Sequence, residues 1–225
     1  MTEPSFASDY AAEITEPSYL ELQDLAMWSK HRGPYLYVIG GWACWHYHQG
    51  LGSRDIDVIL HDAQSVTKFM YDYYKEHGFQ TYGGLLSKRY RKPLKVGGNT
   101  VYIDIDAASF EDSQPFKEDQ AKTLSYSLLA DNHIQWDLGS ASVFVPTPEL
   151  LLLQKIKAYR DRSWDLRFKA TNAVDVAWLR GKLWKDAYDI RRISGESISW
   201  NKLESFSGRQ GLEEFVNETL DHVGP

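Results

Sequence analysis

Two pairs of aspartates stand in segments that alternate like β-strands. Asp55 and Asp57 lie in DIDVIL, and Asp104 and Asp106 lie in YIDIDA. Because strand side chains alternate between two faces, each pair shares a face, and the apolar residues between its members point into a core. Like charges on adjacent strands destabilise a sheet, and a bound divalent cation such as Mg²⁺ is the simplest relief. Together the pairs predict a metal site, whereas either pair alone fits an exposed strand face.

A glycine pair precedes the first aspartate pair. Gly40 and Gly41 follow the apolar segment YLYVI and precede WACWHYHQG, which favours a strand, a tight turn and a helix. Glycine permits close backbone approach, and the free N–H groups at a helix N-terminus bind phosphate. A Gly-Gly pair alone is usually only a turn, but its combination with the following Asp-x-Asp is more specific than either part.

Basic residues on a later helix form a second candidate group. Lys155 and Arg162 are two helical turns apart and share a face, while Lys157 points nearly opposite and is expected in solvent. If that face is directed at the sheet, the two cations would meet triphosphate oxygens. If it faces solvent, they are only a surface charge stripe.

The helix around residue 186 carries its own charges. Asp186 lies at the edge of an apolar stripe, so it is expected to be half-buried and to need a cationic partner, Lys155 or Arg162. Lys185 and Asp189 are spaced to pair with each other. The members of the stripe are Leu183, Ala187 and Ile190.

A basic stretch, SKRYRKPLK, precedes the second aspartate pair. An aromatic side chain among cations is suited to an RNA backbone with base stacking, although a solvated hairpin explains the stretch equally well. The residues proposed to contact RNA are Lys88, Arg89, Arg91 and Lys92.

Composition limits the class of protein. The chain has 225 residues, 43% hydrophobic, with one cysteine and a net charge of −6. It is therefore neither disordered nor a basic nucleic-acid coat, and it has no internal disulfide. Without a signal peptide or an apolar run long enough to span a membrane, it is expected to be cytoplasmic.

The order of predicted elements suggests two parts. Mixed strands and helices come first, and helices alone follow, which indicates an α+β (α/β) fold with a catalytic domain over 1–147 and a helical domain over 148–225. The N-terminal helix is predicted from Tyr19, and a further helix is predicted over 116–130. Later helices are predicted over 148–162, 170–180 and 183–193, with two short ones to residue 222.

The segment GGWACWHYHQGLGSRDIDVIL, followed by YIDID, resembles the signature of polymerase-β-like nucleotidyltransferases. The resemblance implies a mixed sheet flanked by helices and two Mg²⁺ ions, with Mn²⁺ as a substitute, on Asp55, Asp57 and Asp104. It implies transfer of a nucleoside monophosphate from an NTP to an acceptor hydroxyl, with Asp104 as base and Asp106 as its alternative. The phosphate pocket it implies consists of Gly40, Gly41, Ser53 and Arg54.

The segments PTPELLLLQKIKAYRDR and KDAYDI look like the helical part of AbiE-type and MenT-type nucleotidyltransferase toxins. This resemblance implies catalytic roles for Lys155 and Asp186 and nucleotide contacts for Arg162 and Lys185. It further implies an RNA acceptor, such as a tRNA 3′ end, and an antitoxin protein as a partner.

Two alternatives stay open. The turn GGWA followed by RDID also resembles aminoglycoside and lincosamide nucleotidyltransferases, so the acceptor could be a small molecule. A non-catalytic nucleotide- or RNA-binding module is the alternative from another class, and the intact set of acids argues against it.

Overall fold

The computed structural model describes residues 10–82, 89–196 and 198–224. Its contacts divide the chain into two compact units. The first unit contains the residues up to Asp112 together with Tyr126–Pro146, and the second contains Ser113–Ser125 and the residues from Thr147 onward. The main part of the second unit thus begins at Thr147, next to the boundary expected between residues 147 and 148. The second unit also includes residues 113–125, which were expected to belong to the catalytic domain.

A seven-stranded mixed sheet forms the centre of the first unit, in the order β3-β4-β5-β2-β1-β9-β8. Neighbours β2 and β5 run parallel, as do β1 and β9, whereas β1–β2, β3–β4, β4–β5 and β8–β9 are antiparallel. The strands are β1 (Tyr37–Ile39), β2 (Ile56–Leu60), β3 (Gln80–Tyr82), β4 (Arg89–Val96), β5 (Asn99–Ser109), β8 (His133–Asp137) and β9 (Ser142–Pro146). The predicted mixed sheet flanked by helices is confirmed.

α-Helices accompany this sheet in the first unit. They are α1 (Ala12–Arg32), α2 (Gly40–His48), α3 (Ala63–Ser65) and α4 (Tyr71–Glu76), with a π-helical segment, Val66–Met70, joining α3 to α4. Leu22 and Leu25 of α1 and Val38 and Val58 of the sheet are fully buried. Apolar burial of this kind is the main stabilising term of the unit.

The N-terminal helix is longer than its apolar pattern predicts, because α1 begins at Ala12 rather than at Tyr19. Pro17 lies inside it, so the helix tolerates one missing backbone donor. Ser18 is fully buried, and its hydroxyl accepts a hydrogen bond of 3.2 Å from the Trp42 indole. A polar residue held by a buried contact does not show as part of an apolar stripe.

Helices predominate in the second unit. They are α5 (Pro148–Phe168), α6 (Ala173–Glu196), α7 (Trp200–Arg209) and α8 (Glu213–Val223). The helices predicted over 170–180 and 183–193 are wrong in detail, because one continuous helix, α6, begins at Ala173 and runs through the end of both ranges. Gly181, which lies between the two predicted ranges, is buried inside α6. A buried interior glycine costs only about 1 kcal/mol of helix propensity, which packing overcomes.

Residues 113–125, called the arm below, form a small hairpin of β6 (Ser113–Pro115) and β7 (Thr123–Ser125). The helix predicted over 116–130 is therefore wrong, and only a short 3₁₀ helix, Tyr126–Ala130, occurs there. Phe116 is buried, with its ring centroid 4.9 Å from that of Phe215. The arm also packs through its backbone, since the Lys117 N–H donates to the Asp161 carboxylate at 2.9 Å.

Across the described ranges, no helix has the length and apolar character needed to cross a membrane.

Candidate active site

The central strands bring the four aspartates to one face of the first unit, called the acid face below. Asp57 of β2 lies directly beside Asp106 of the parallel strand β5. Asp55 immediately precedes β2, and the same register continued by one residue places it beside Asp104. Ile56 and Ile105 are paired in this register and fully buried on the opposite face. Period-two alternation therefore turns all four carboxylates away from the core.

Asp104 has a cationic neighbour on the next strand. Arg91 of β4 is its antiparallel register partner, and the Arg91 Nε lies 3.3 Å from the Asp104 carboxylate. Burial raises the pKa of Asp104, the Arg91 charge opposes that rise, and the carboxylate of Asp55 adds to it. The Asp104 side chain is 17% exposed, whereas Asp106 is exposed. Asp104 is thus the more sheltered of the two candidate third acids.

The N-terminus of α2 lies against the acid face. Gly40 is its first residue and has a positive φ of 68°, which glycine adopts without strain. A Cβ atom built on Gly40 would lie 2.2 Å from Oδ2 of Asp57, so no other residue fits there without displacing that carboxylate. Gly41 is buried in the same first turn. Free N–H groups at this helix end therefore stand beside a carboxylate of the face.

The residues that precede β2 complete this edge. The Arg54 Nε lies 3.1 Å from the Asp55 carboxylate, and Ser53 is buried. Arg54 and Arg91 thus both place a guanidinium among the acids, so each is positioned to meet an anion that approaches the face.

Sequence reasoning missed Tyr126, the first residue of the 3₁₀ helix after the arm. Burial, followed by the charges of Asp57, Asp112 and Asp106, raises the pKa of the Tyr126 hydroxyl to about 12. Two of those charges, Asp57 and Asp106, belong to the acid face, so the Tyr126 phenol lies near that face. No sequence signal indicates this, because the tyrosine is distant in sequence from both Asp-x-Asp pairs.

The basic stretch is divided between the two faces of the sheet. Arg91 is on the acid face, whereas Lys92 is on the other, where its Nζ lies 2.6 Å from the buried Glu21 of α1. Tyr90 stacks on Tyr74 with ring centroids 4.2 Å apart. The RNA contacts predicted for Arg91 and Lys92 stay predictions, and both residues already contact carboxylates.

Two members of that stretch cannot be placed in the same way. Lys88 lies outside the described residues, and Arg89 is described only as the first residue of β4.

The predicted charged residues of the second unit come together as a buried charge network of α5 and α6. The Lys155 Nζ lies 2.8 Å from Asp189 and 3.7 Å from Asp186. Lys185 lies 2.9 Å from Asp189, and Arg162 pairs with Asp186. Burial alone would raise the pKa of Asp189, but the two lysines hold it at about 2. The members of the network are Lys155, Arg162, Lys185, Asp186 and Asp189.

Three expectations about these helices need correction. Asp186 is 2% exposed rather than half-buried, and Lys157 is buried and paired with Asp161 rather than solvated. The buried stripe of α6 is not Leu183, Ala187 and Ile190, because the first two are only partly buried and charged residues share the buried side. Ion pairing allows this burial, and a pattern of apolar residues cannot reveal it.

Comparison with known proteins supports the fold. No family model and no curated protein matches the chain. Among solved structures, it resembles an antigenic nucleotidyltransferase-like protein from Paracoccidioides brasiliensis, with a TM-score of 0.51, 14% identity, and coverage of 92% of this chain and 94% of that one. The chain has the fold of a nucleotidyltransferase-like protein.

Two further solved structures resemble the chain more loosely. The lincosamide antibiotic adenylyltransferase LnuA, bound to lincomycin, has a TM-score of 0.44 and 18% identity, covering 81% of this chain and 98% of its own. ANT(2″)-Ia in complex with adenylyl-2″-tobramycin has a TM-score of 0.44 and 11% identity, covering 92% and 98%. At such scores neither likeness says anything about substrate, and closeness to AbiE-type or MenT-type toxins stays a prediction.

The donor set of the acid face fits a divalent cation. Carboxylate oxygens are the ligands that Mg²⁺ and Mn²⁺ prefer. Asp57 and Asp104 offer them from the adjacent strands β2 and β5, and Asp55 offers them from the residue before β2. The carboxylates repel one another, because the charges of Asp55 and Asp106 add to the rise that burial causes in the pKa of Asp104. Asp55, Asp57 and Asp104 are the residues that would hold such an ion.

Proposed function

We propose that the chain transfers a nucleoside monophosphate from a nucleoside triphosphate to an acceptor hydroxyl. The acceptor oxygen forms a bond to the α-phosphorus, and the bond between that phosphorus and the bridging oxygen of the β-phosphate breaks. Pyrophosphate leaves with the electron pair of the broken bond. The proton of the acceptor hydroxyl passes to a carboxylate of the acid face.

The observation that carries this proposal is the meeting of two Asp-x-Asp pairs with a glycine-started helix. Asp57 lies in register with Asp106, and a Cβ atom built on Gly40 would lie 2.2 Å from Oδ2 of Asp57. Carboxylates bring a divalent cation to the face, and free helix N–H groups bind phosphate oxygens. A triphosphate needs both, so their juxtaposition supports an NTP as the substrate.

Asp55, Asp57 and Asp104 would hold Mg²⁺ or Mn²⁺. When bound there, the ions would offset the charge of the triphosphate and of the attacking and leaving oxygens.

The remaining residues of the face bind, orient and accept a proton. Asp104 takes the acceptor proton in this proposal, and its raised pKa, caused first by burial, makes its carboxylate a better base. Asp106 is the alternative base. The phosphates are bound by the backbone of Gly40 and Gly41, with Ser53 and Arg54 beside them.

The acceptor that we propose is an RNA end, such as a tRNA 3′ end. Modification of such an end would make the protein a toxin whose partner is an antitoxin. A small-molecule hydroxyl is the second candidate, and two observations favour it. Arg91 and Lys92, the cations expected to contact RNA, lie within 3.3 Å and 2.6 Å of carboxylates, and the chain carries a net charge of −6.

Roles of the second unit in catalysis form a separate part of the proposal. Lys155 and Asp186 are proposed to act in transfer, and Arg162 and Lys185 to contact the nucleotide. Their contacts with one another support an alternative in which the network only stabilises α5 against α6. Lys155→Met separates these roles, since a structural lysine lowers stability and turnover together, whereas a catalytic one lowers turnover more than the melting temperature explains.

The test is incubation of the purified protein with each α-labelled NTP, Mg²⁺ and either total cellular RNA or a panel of hydroxylated antibiotics. Label on a tRNA-sized band, with release of pyrophosphate, is the result expected. Label on an antibiotic instead would move the acceptor to the small-molecule class. NTP protection against melting without transfer to any acceptor would favour the non-catalytic binding module.

Matched variants test whether the acid face catalyses the transfer of label to the acceptor. Asp55→Asn and Asp57→Asn should each lower transfer about 10³-fold, whereas Asp131→Asn, which changes an exposed acid of the same unit, should leave it unchanged. Comparison of Asp104→Asn with Asp106→Asn identifies the base, because the base variant loses turnover more steeply. Full transfer by Asp57→Asn would refute the proposal.

A further inference from the structure

Large apolar side chains are exposed where α5 ends and α6 begins, over residues 163–182, called the hairpin tip below. Phe168 is 60% exposed, Val174 is 77% exposed and Trp178 is 57% exposed. Trp164 lies one turn before Phe168, with ring centroids 5.0 Å apart. At 1.5 Å per residue, Trp164 and Trp178 stand roughly 6 and 8 Å from the helix ends that form the tip. Clustered exposed aromatics of this kind mark binding surfaces more often than isolated ones do.

Each of the three aromatic rings has a cation near it. The Lys169 Nζ lies 5.2 Å from the Trp164 ring centroid, the Arg167 Cζ 5.6 Å from that of Phe168, and the Lys182 Nζ 5.8 Å from that of Trp178. Arg180 adds a fourth basic residue to the tip, and it is exposed. The surface therefore alternates planar apolar groups with positive charge.

The two acids of the tip make local contacts. Asp165 accepts from Lys117 and lies 3.6 Å from Lys169. Asp175 belongs to the start of α6, where its N–H donates to the Asn172 side chain at 2.9 Å and its carboxylate accepts from that side chain at 2.8 Å. With four basic and two acidic residues, the tip is locally basic on a chain of net charge −6.

We propose that the hairpin tip is a docking surface for single-stranded RNA. Bases stack on exposed aromatic rings whatever their sequence, and phosphates are attracted by the cations between the rings. This inference rests on the proposed function and gives it an acceptor class. It also moves the RNA contact from the basic strand β4 to the tip, whose large aromatic side chains are exposed.

A second copy of the chain fits the same surface less well. Two-fold pairing would place each tip opposite itself, so that two surfaces of the same net positive charge would face each other. Like charges across an interface cost free energy, whereas a polyanion has complementary charge. Charge therefore selects the polynucleotide over self-association.

The experiment measures the affinity of the full-length protein for a fluorescently labelled single-stranded RNA by anisotropy over a range of salt concentrations. Trp178→Ala and Phe168→Ala should each weaken binding about tenfold, the loss expected for one stacked base. Lys182→Gln should reduce the salt dependence by about 0.7 in the logarithmic slope. Trp178→Phe, which keeps an aromatic ring, should restore most of the affinity.

Trp200→Ala is the matched control, because Trp200 is 44% exposed on α7 of the same unit and outside the tip. It should bind RNA as the unmodified protein does. Circular dichroism of each variant verifies that its fold is retained. Equal affinity of the Trp178, Phe168 and control variants would overturn the inference, as would absence of RNA binding by the unmodified protein. A change of association state in sedimentation without a change of RNA affinity would also overturn it and assign the tip to a second copy.

The Asp57→Asn background separates this inference from the proposed function. Binding is measured there without transfer, so an inactive protein still reports on the tip. Normal RNA labelling by the Trp178→Ala and Phe168→Ala variants would refute the docking surface and leave the transfer proposal standing. RNA binding that depends on the tip, without transfer to any acceptor, would support the docking surface and refute the transfer proposal.

Discussion

Acidic side chains gather in both units, but in opposite surroundings. On the acid face, four carboxylates stand with two arginines, and the side chains of Asp55 and Asp104 are 25% and 17% exposed. In the buried charge network, two carboxylates stand among three cations, and the side chains of Asp186 and Asp189 are 3% and 0% exposed. The first cluster has more acids than bases, and these two acids are partly exposed. The second has more bases than acids, and its two acids are buried.

This difference separates two uses of charge. Carboxylates crowded on one face repel each other, so the face costs stability and gains it when a cation binds. Buried carboxylates surrounded by lysines stabilise the fold only while every partner is present, because removal of one leaves the others charged and desolvated. Removal of one acid should therefore lower mainly activity on the acid face, and mainly stability at Asp189 of the network.

The largest effect is expected from Asp57→Asn on the acid face. Transfer should fall about 10³-fold, since a charged group next to the reacting phosphates is lost. The free energy of unfolding should stay the same or rise, because one of four like charges disappears. Turnover with labelled NTP and urea denaturation measure the two quantities. A variant that unfolds several kcal/mol more easily would show that the face is structural.

Asp189→Asn in the network should do the opposite. It leaves Lys155 and Lys185 buried without their carboxylate, so the free energy of unfolding should fall by about 3–5 kcal/mol. Urea denaturation followed by circular dichroism measures this loss. The control is Asp221→Asn on an exposed position of α8, where a change within about 0.5 kcal/mol is expected. A loss of stability no larger than that of Asp221→Asn would show that the network does not stabilise the fold, and the contrast with the acid face would be wrong.

Acid titration provides a further test of the network. The lysines hold the pKa of Asp189 at about 2, below its ordinary 3.8, so its contribution to stability is present above pH 4 and is lost as the pH falls toward 2. The amount is roughly 2 kcal/mol. Free energies of unfolding measured for the unmodified protein and for Asp189→Asn over this range should therefore converge as the pH falls. A constant difference would contradict this assignment.

The smallest effect is expected from Gly40→Ala, which tests whether the helix start and the acid face act together. The new Cβ would lie 2.2 Å from Oδ2 of Asp57 at a φ of 68°. Transfer should fall about tenfold as the carboxylate is displaced, and stability should fall by about 1–2 kcal/mol because of the left-handed backbone. Thermal melting and turnover measure both.

Gly139→Ala is the control for backbone strain. Gly139 has a φ of 95°, and a Cβ there meets nothing within 4 Å. Its stability should fall similarly, while its turnover stays normal. Equal turnover in the two variants would show that Gly40 serves only the turn.

The acid-bearing strands could be predicted because their alternation is a local property. Ile56, Val58, Ile103 and Ile105 are all buried, and burial with period two is visible in a single sequence. The partner of Asp104 could not be predicted, because its pairing with Arg91 depends on the register of β4 against β5. Strand type alone does not specify register.

Buried charge is the other feature that a single sequence conceals. Lys157, Lys185 and Asp186 have the residue types of a solvated surface, yet all three are at most 8% exposed. Their burial depends on partners contributed by a neighbouring helix or a neighbouring turn. The arm escaped prediction for a related reason, since Phe116 packs on Phe215, far away in the sequence.

The arm has a consequence for how the chain is made. It emerges from the ribosome before α5 and α8, the helices that hold it through Asp161 and Phe215. Until α8 is synthesised, Phe116 and Leu124 lack the unit in which they are buried. The second unit therefore folds only after synthesis is nearly complete. A chain truncated near residue 147 would expose the apolar side chains of Phe116 and Leu124 and would be expected to aggregate.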